Sequence, residues 1–267
     1  MTTTLRTLFT GLLAITVMVS ALFVAHQAFA LSNLSDVDSG DLIRGESFSA
    51  VYYMGADGFR YVFPNDKTYF TWYENFDDVK WISDSDLATI QIGGNVTYKP
   101  GVQMIKITSD PSTYAVASGG VLRHVGSEAV AVELYGSTWN KKIDDVPDGF
   151  FTNYTVGDVL EEGDSYNPAM EKDGTPDINY DKDLVAPEEI SITSGGFSPI
   201  SATIEVGQTV RFTNNDSEKH AATADNLSWG SGTISPGGSY VQRFKKAGEY
   251  PFFDSYDSSN SGAVYVE

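Results

Sequence analysis

Cysteine is absent from all 267 residues of the chain. No disulfide framework, zinc–thiolate site, iron–sulfur cluster, lipid-modified N-terminal cysteine or copper–thiolate bond can form, because each needs a sulfur that is missing. Basic residues are scarce as well: 17 Lys+Arg stand against 36 Asp+Glu, a formal net charge of −19. Nucleic-acid recognition rests on cationic side chains meeting phosphates, so this balance argues against such a partner, while it favours attraction of divalent cations. Catalytic signatures are missing too. There is no Gly-x-Ser-x-Gly elbow and no His-Glu-x-x-His, and Gly230-Ser231-Gly232 lacks the Lys-Ser/Thr of a phosphate loop. These absences point to a protein that is not an enzyme. What the chain does have is 41% hydrophobic and 13% aromatic residues, a globular composition able to offset ordering entropy by burial.

Residues 1–30 read as a targeting segment. Arg6 supplies a positive n-region, Leu8 to Ala25 is almost wholly apolar, and Ala28-Phe29-Ala30 offers the small-x-small pattern of signal peptidase, with cleavage expected after Ala30. The apolar stretch is also long enough to serve, uncleaved, as a membrane anchor. In either case the remainder is expected to be exported: secreted, periplasmic or at the cell surface.

Charge divides that remainder into residues 31–157, 158–188 and 189–267. The middle segment holds 10 acidic and 2 basic side chains in 31 residues, with no apolar period, and reads as an extended acidic linker. Within it, Asp177, Asn179, Asp181 and Glu188 occupy positions 1, 3, 5 and 12 of a loop resembling an EF-hand calcium site. Lys182 stands where that loop needs Gly and Pro187 interrupts its exit, so the linker reading is preferred.

Residues 31–157 repeat themselves at a spacing near 62. Ile43 and Ile105, Tyr52 and Tyr114, Gly58 and Gly120, and Tyr73 and Tyr135 match at 62, whereas Arg60 with Arg123 and Val62 with Val125 match at 63. Two copies, about 41–100 and 103–157, are expected to form a duplicated β-rich α+β module. In each, a short strand precedes two β-rich runs joined by a glycine turn. A helix follows, capped by Asn65 or Asp66 in the first copy and by Ser127 in the second, and a polar stretch around Asp84 or Asp148 closes the copy. The arrangement resembles repeat units of exported bacterial envelope proteins, and the partner expected for the chain is an envelope protein or glycan. Tyr52, Tyr53, Phe59, Tyr61, Phe63, Tyr69, Phe70, Trp72, Tyr73, Phe76 and Trp81 crowd the first copy. They could stack sugar rings, but a unit this small needs large side chains for its core, and the core assignment is preferred.

The last 79 residues alternate with period 2 between turn residues, as a β-sandwich does. Phe197-Ser198-Pro199, Val206-Gly207-Gln208-Thr209-Val210, Thr213-Asn214-Asn215-Asp216 with His220, Ser235-Pro236-Gly237 and Gly248-Glu249-Tyr250-Pro251-Phe252-Phe253 follow in order. The segment resembles the plastocyanin-like cupredoxins, which implies a Greek-key sandwich and makes the whole chain mainly β. The resemblance also places the family's copper ligands: His220 at the first, Asp254 at the Cys, Asp257 at the second His and Asn260 at the Met. With three of four replaced, type 1 copper is chemically unsupported, because carboxylates cannot reproduce a copper–thiolate centre. Two readings remain for the cluster. One imidazole, two carboxylates and an amide could hold zinc, manganese or calcium. Alternatively the site is metal-free and His220 donates a charge-assisted hydrogen bond to Asp254. The metal-free reading is preferred, giving an exported, non-catalytic binding or scaffold protein; the alternative is a metal-binding cupredoxin in electron transfer or metal handling.

Overall fold

The computed structural model describes residues 31–267; the targeting segment and cleavage site expected in residues 1–30 lie outside the described residues. Strands β1 (Leu42–Arg44), β2 (Tyr52–Met54), β3 (Arg60–Val62), β4 (Val79–Trp81) and β5 (Ile92–Asn95) form a sheet in the order β4-β1-β2-β3-β5. Helices α1 (Asp66–Trp72) and α2 (Asp84–Thr89) supply the crossovers that the parallel pairs β1/β4 and β3/β5 require. Strands β6 (Met104–Ile107), β7 (Tyr114–Ala117), β8 (Val121–His124), β9 (Ile143–Val146) and β10 (Thr155–Val156), with α3 (Glu128–Tyr135) and α4 (Asp148–Phe151), form a second sheet. Its order, β10-β8-β7-β6-β9, is the first order read backwards, with the same parallel and antiparallel senses at each pairing.

Local chemistry accounts for these elements. Asn65 Oδ1 accepts from Thr68 N at 2.8 Å and Ser127 Oγ from Val130 N at 3.2 Å, each satisfying a first-turn amide. The stretches around Asp84 and Asp148, expected only as polar closures, instead begin α2 and α4. Ser83 starts α2 by accepting from Asp86 N. The aromatic crowd largely forms core: Tyr53, Phe59, Tyr61, Phe63 and Tyr69 are buried, whereas Phe70 and Phe76 stay about half exposed.

Residues 158–188 depart from the extended linker expected. Helices α5 (Pro168–Gly174) and α6 (Ile178–Asp181) lie within them, and Leu160, Tyr166, Thr175, Ile178 and Asp181 are buried. Self-repulsion does not extend the segment because its polar groups are engaged locally: Asn167 caps α5 and Asp177 caps α6. Its isolated apolar side chains are enough to anchor it, Ile178 in the core of the first sheet and Leu160 in that of the second. Tyr166 Oη adds a bond to Val116 O at 3.0 Å.

A four-stranded sheet of β11 (Glu188–Thr193), β12 (Gly196–Ser198), β14 (Thr209–Asn214) and β16 (Ser239–Arg243) faces another of β13 (Ser201–Ile204), β15 (Thr223–Ala224), β17 (Gly248–Phe253) and β18 (Ser261–Val266). Ile190, Ile192, Phe197, Phe212, Phe252 and Val264 fill the space between them, with Phe252 edge-on to Phe197 at 4.8 Å and to Phe212 at 5.1 Å. The sandwich also packs on the first sheet. Val241 of β16 joins that sheet's core, its N–H donates to Gln91 Oε1 at 3.0 Å, and Thr209 Oγ1 donates to Asp57 O at 3.2 Å. Gly58 permits this approach: at φ +85° it suits the turn, and a β-carbon there would lie 2.8 Å from Arg211 Nη2. Buried Asp57 accepts from Tyr61 Oη at 2.6 Å and from Arg243 of β16. Leu31–Glu267 therefore forms one compact unit, and limited proteolysis of the folded protein is expected not to release two stable fragments by cutting between Val159 and Pro187. Rapid cleavage there, followed by both fragments by mass spectrometry, would show that the segment opens freely.

Candidate functional site

His220, Asp254, Asp257 and Asn260 gather at one end of the sandwich. His220 is held by a backbone bridge to Ile234, its N–H donating at 3.2 Å and its carbonyl accepting at 2.8 Å. Asp254 follows directly on β17. Three successive backbone bonds shape the β17–β18 loop: Asp257 N to Asp254 O, Asn260 N to Asp257 O, and Asp254 N to Asn260 O. Turns of this kind are what the Ser, Asp and Asn content of residues 254–260 encodes.

Asp254 is fully buried. Its Oδ1 accepts from Ala221 N at 2.9 Å and from Tyr256 N at 3.0 Å, and its Oδ2 lies 2.6 Å from His220 Nδ1. The other ring nitrogen, Nε2, lies 3.1 Å from Asp216 Oδ2. An ionised carboxylate only accepts, so two carboxylates at the two nitrogens are satisfied together when both nitrogens carry protons. The geometry selects the imidazolium. Burial alone lowers the pKa of His220, but its hydrogen bonds to Asp254 and Asp216 and their charges outweigh it and leave the value above the ordinary 6.5. Asp216 is held below the usual carboxylate range, first by its bond to His220 and then by Ser217 N–H.

Asp257 and Asn260 turn to other work. Asp257 Oδ1 accepts from Ser259 Oγ at 2.6 Å and Ser259 N at 3.0 Å, bonds that lower its pKa. The Asn260 amide stacks over Gly196, where a β-carbon would come within 2.8 Å of Asn260 Oδ1. The structure thus joins His220 to Asp254 and adds Asp216, which the sequence reading passed over although it lies in the same motif, four residues before the histidine. Asn214 sets that motif: buried, it donates through Nδ2 to Glu218 O and Ile234 O and accepts from Asp216 N.

Residues 180–266 match the family model of the cupredoxin-like domain. The C-terminal domain is cupredoxin-like. Similar solved structures include a purple cupredoxin from Nitrosopumilus maritimus, 26% identical over 30% of this chain and 99% of that one, with a TM-score of 0.29. A mutant amicyanin with Cu(I) is 21% identical over 30% of this chain and 82% of that one, with a TM-score of 0.29. A copper-containing nitrite reductase from Thermus scotoductus SA-01 is 24% identical over 31% of this chain and 23% of that one, with a TM-score of 0.30. No curated protein matches the chain.

Type 1 copper does not fit the cupredoxin-like domain. The Asp254 carboxylate, which the resemblance sets at the family's thiolate position, already accepts from two backbone N–H groups and the imidazolium, and both ring nitrogens of His220 face carboxylates. Among the described residues no group of three or more His, Cys, Asp or Glu side chains is placed to hold a metal ion. The calcium-like loop is dispersed in the same way. Asp177 caps α6, Asn179 receives Ala56 N, and Asp181 accepts from Gly119 N and Thr97 Oγ1. Among the described residues no helix is long and apolar enough to cross a membrane.

Proposed function

We propose that this is an exported, non-catalytic protein of the cell envelope or secreted space, serving a binding or scaffold role. Its cupredoxin-like domain has exchanged the copper centre for a protonated histidine clasped by two aspartates. The observation that carries this reading is His220 between Asp254 at 2.6 Å and Asp216 at 3.1 Å. A metal cross-links strands through ligand bonds; here the imidazolium links the 214–220 loop to the end of β17 through charge-assisted hydrogen bonds. The matching order of the two N-terminal sheets supports a duplicated module in residues 31–157, and the half-exposed rings of Phe70 and Phe76, edge to face at 5.3 Å, suit contact with an envelope protein or glycan. Export would leave Leu31 as the mature N-terminus.

The test is titration of purified protein with Cu(II), zinc, manganese and calcium against a chelator control, following melting temperature and visible absorption. No intense visible band and no shift beyond about 1 °C are expected, because an ion bound to the native state alone would raise stability by mass action. A rise of several degrees with any one ion at micromolar concentration would instead support the metal-binding alternative.

A further inference from the structure

A second polar site lies away from the clasp, where the first sheet, α6 and β16 meet. An open cleft of about 380 Å³ there is lined by Tyr61, Asn95, Asp181, Lys182 and Arg243, within the size range of small-ligand sites. Lys182 sits with Nζ 5.6 Å from the Tyr61 ring centroid, and Arg243 donates to Tyr61 Oη at 2.8 Å. Two cations thus meet at one ring in a chain with twice as many acids as bases.

Their nearby carboxylates do not neutralise both. Asp57 engages Arg243 through Nη2 alone; the guanidinium lies 5.0 Å from the Phe59 ring centroid, and Nε and Nη1 have no hydrogen-bond partner among the described residues. Asp181 turns its two oxygens to Gly119 N at 3.0 Å and Thr97 Oγ1 at 3.1 Å, and Nζ of Lys182 has no hydrogen-bond or ion-pair partner among the described residues. Burial first, and then the charge of Arg243, lower the pKa of Lys182 against the pull of Asp181 and Asp57. Gly93 of β5 lets the Tyr61 ring lie against the strand at the wall of the cleft: a β-carbon there would come within 2.6 Å of that ring.

We propose that this cleft binds a small oxyanion, a carboxylate or phosphate group held between Nζ of Lys182 and the open N–H groups of Arg243. Planar guanidinium donors and an ammonium together match the lone pairs of such a group, and the bound charge relieves the repulsion between the two cations. The proposal stands on the cleft alone and is independent of the state of His220.

Isothermal titration of the exported chain with inorganic phosphate and, separately, citrate tests it, at ionic strength held constant with sodium chloride. One of the two is expected to bind in a 1:1 ratio with a Kd of about 1 mM or tighter, which also tells the phosphate from the carboxylate source. Lys182→Gln is expected to weaken that binding about tenfold or more. Lys182→Arg should retain it, and exposed Lys246→Gln should leave it unchanged. Heat that sodium chloride alone reproduces, no binding of either anion to the wild type, or wild-type affinity in Lys182→Gln overturns the proposal. The wild-type and Lys182→Arg titrations decide it even where Lys182→Gln folds poorly.

Discussion

Asp254→Ala is expected to cost about 3–5 kcal/mol of stability, the range for removing one partner of a buried ion pair. The substitution strips three donors of their acceptor at a position with no solvent exposure: Ala221 N–H, Tyr256 N–H and the imidazolium. Asp254→Asn keeps an acceptor for the backbone groups but turns an amide toward His220, and a smaller loss of about 1–3 kcal/mol is expected. Chemical denaturation measures both. A loss under about 1 kcal/mol in Asp254→Ala would mean that water replaces the carboxylate and that the clasp contributes little. Wild type compared with His220→Gln reports on pH. His220 is raised above 6.5 in the folded state, so its contribution is full below about pH 6.5 and fades as pH rises through the folded value. Asp216 and Asp257 are lowered below 3.8, so theirs is present above that value and lost as pH falls through the folded values. The difference in stability between wild type and His220→Gln should therefore shrink above neutrality. A difference that stays constant from pH 6 to 9 would show that His220 does not titrate with folding.

The second large effect is expected at Asp57→Ala, again about 3–5 kcal/mol. Asp57 has a 5% exposed side chain and accepts from Tyr61 and from Arg243, tying the first sheet to β16 of the sandwich. Burial pushes the Tyr61 hydroxyl pKa up, with the bond to Asp57 adding to the effect, so the phenol remains a neutral donor and loses its acceptor together with the guanidinium. Because the pair spans two parts of the chain, the variant should also unfold less cooperatively, with sandwich and N-terminal sheets separating into two transitions by tryptophan fluorescence and circular dichroism. A single wild-type-like transition with an unchanged midpoint would show that apolar packing of Val241 alone holds the two together.

Several features needed no coordinates. Period-2 alternation and turn residues define the sandwich strands after residue 189, the 62-residue spacing aligns β1 with β6 and β2 with β7, and Asn65 and Ser127 mark helix starts through their own side-chain oxygens. The missing sulfur ruled out type 1 copper by composition alone, and the pairing of His220 with Asp254 was legible from their places in the motif. These are local or compositional facts, set by propensity and chemistry within a few residues.

Tertiary structure decided the rest. Strands β4 and β9 are three and four residues long, too short for a pattern, and exist because β1 and β6 offer them parallel edges. Residues 158–188 look like a linker by charge. They fold because Leu160 and Tyr166, spread without a period, enter the core of the second sheet while Ile178 enters that of the first. Asp216 became the second arm of the clasp only once Asn214 fixed the loop. The meeting of Lys182 with Arg243, 61 residues apart in the chain, depends on docking the sandwich against the first sheet. Sequence spacing carries no information about such contacts, because they are set by which buried faces complement one another after the chain has folded.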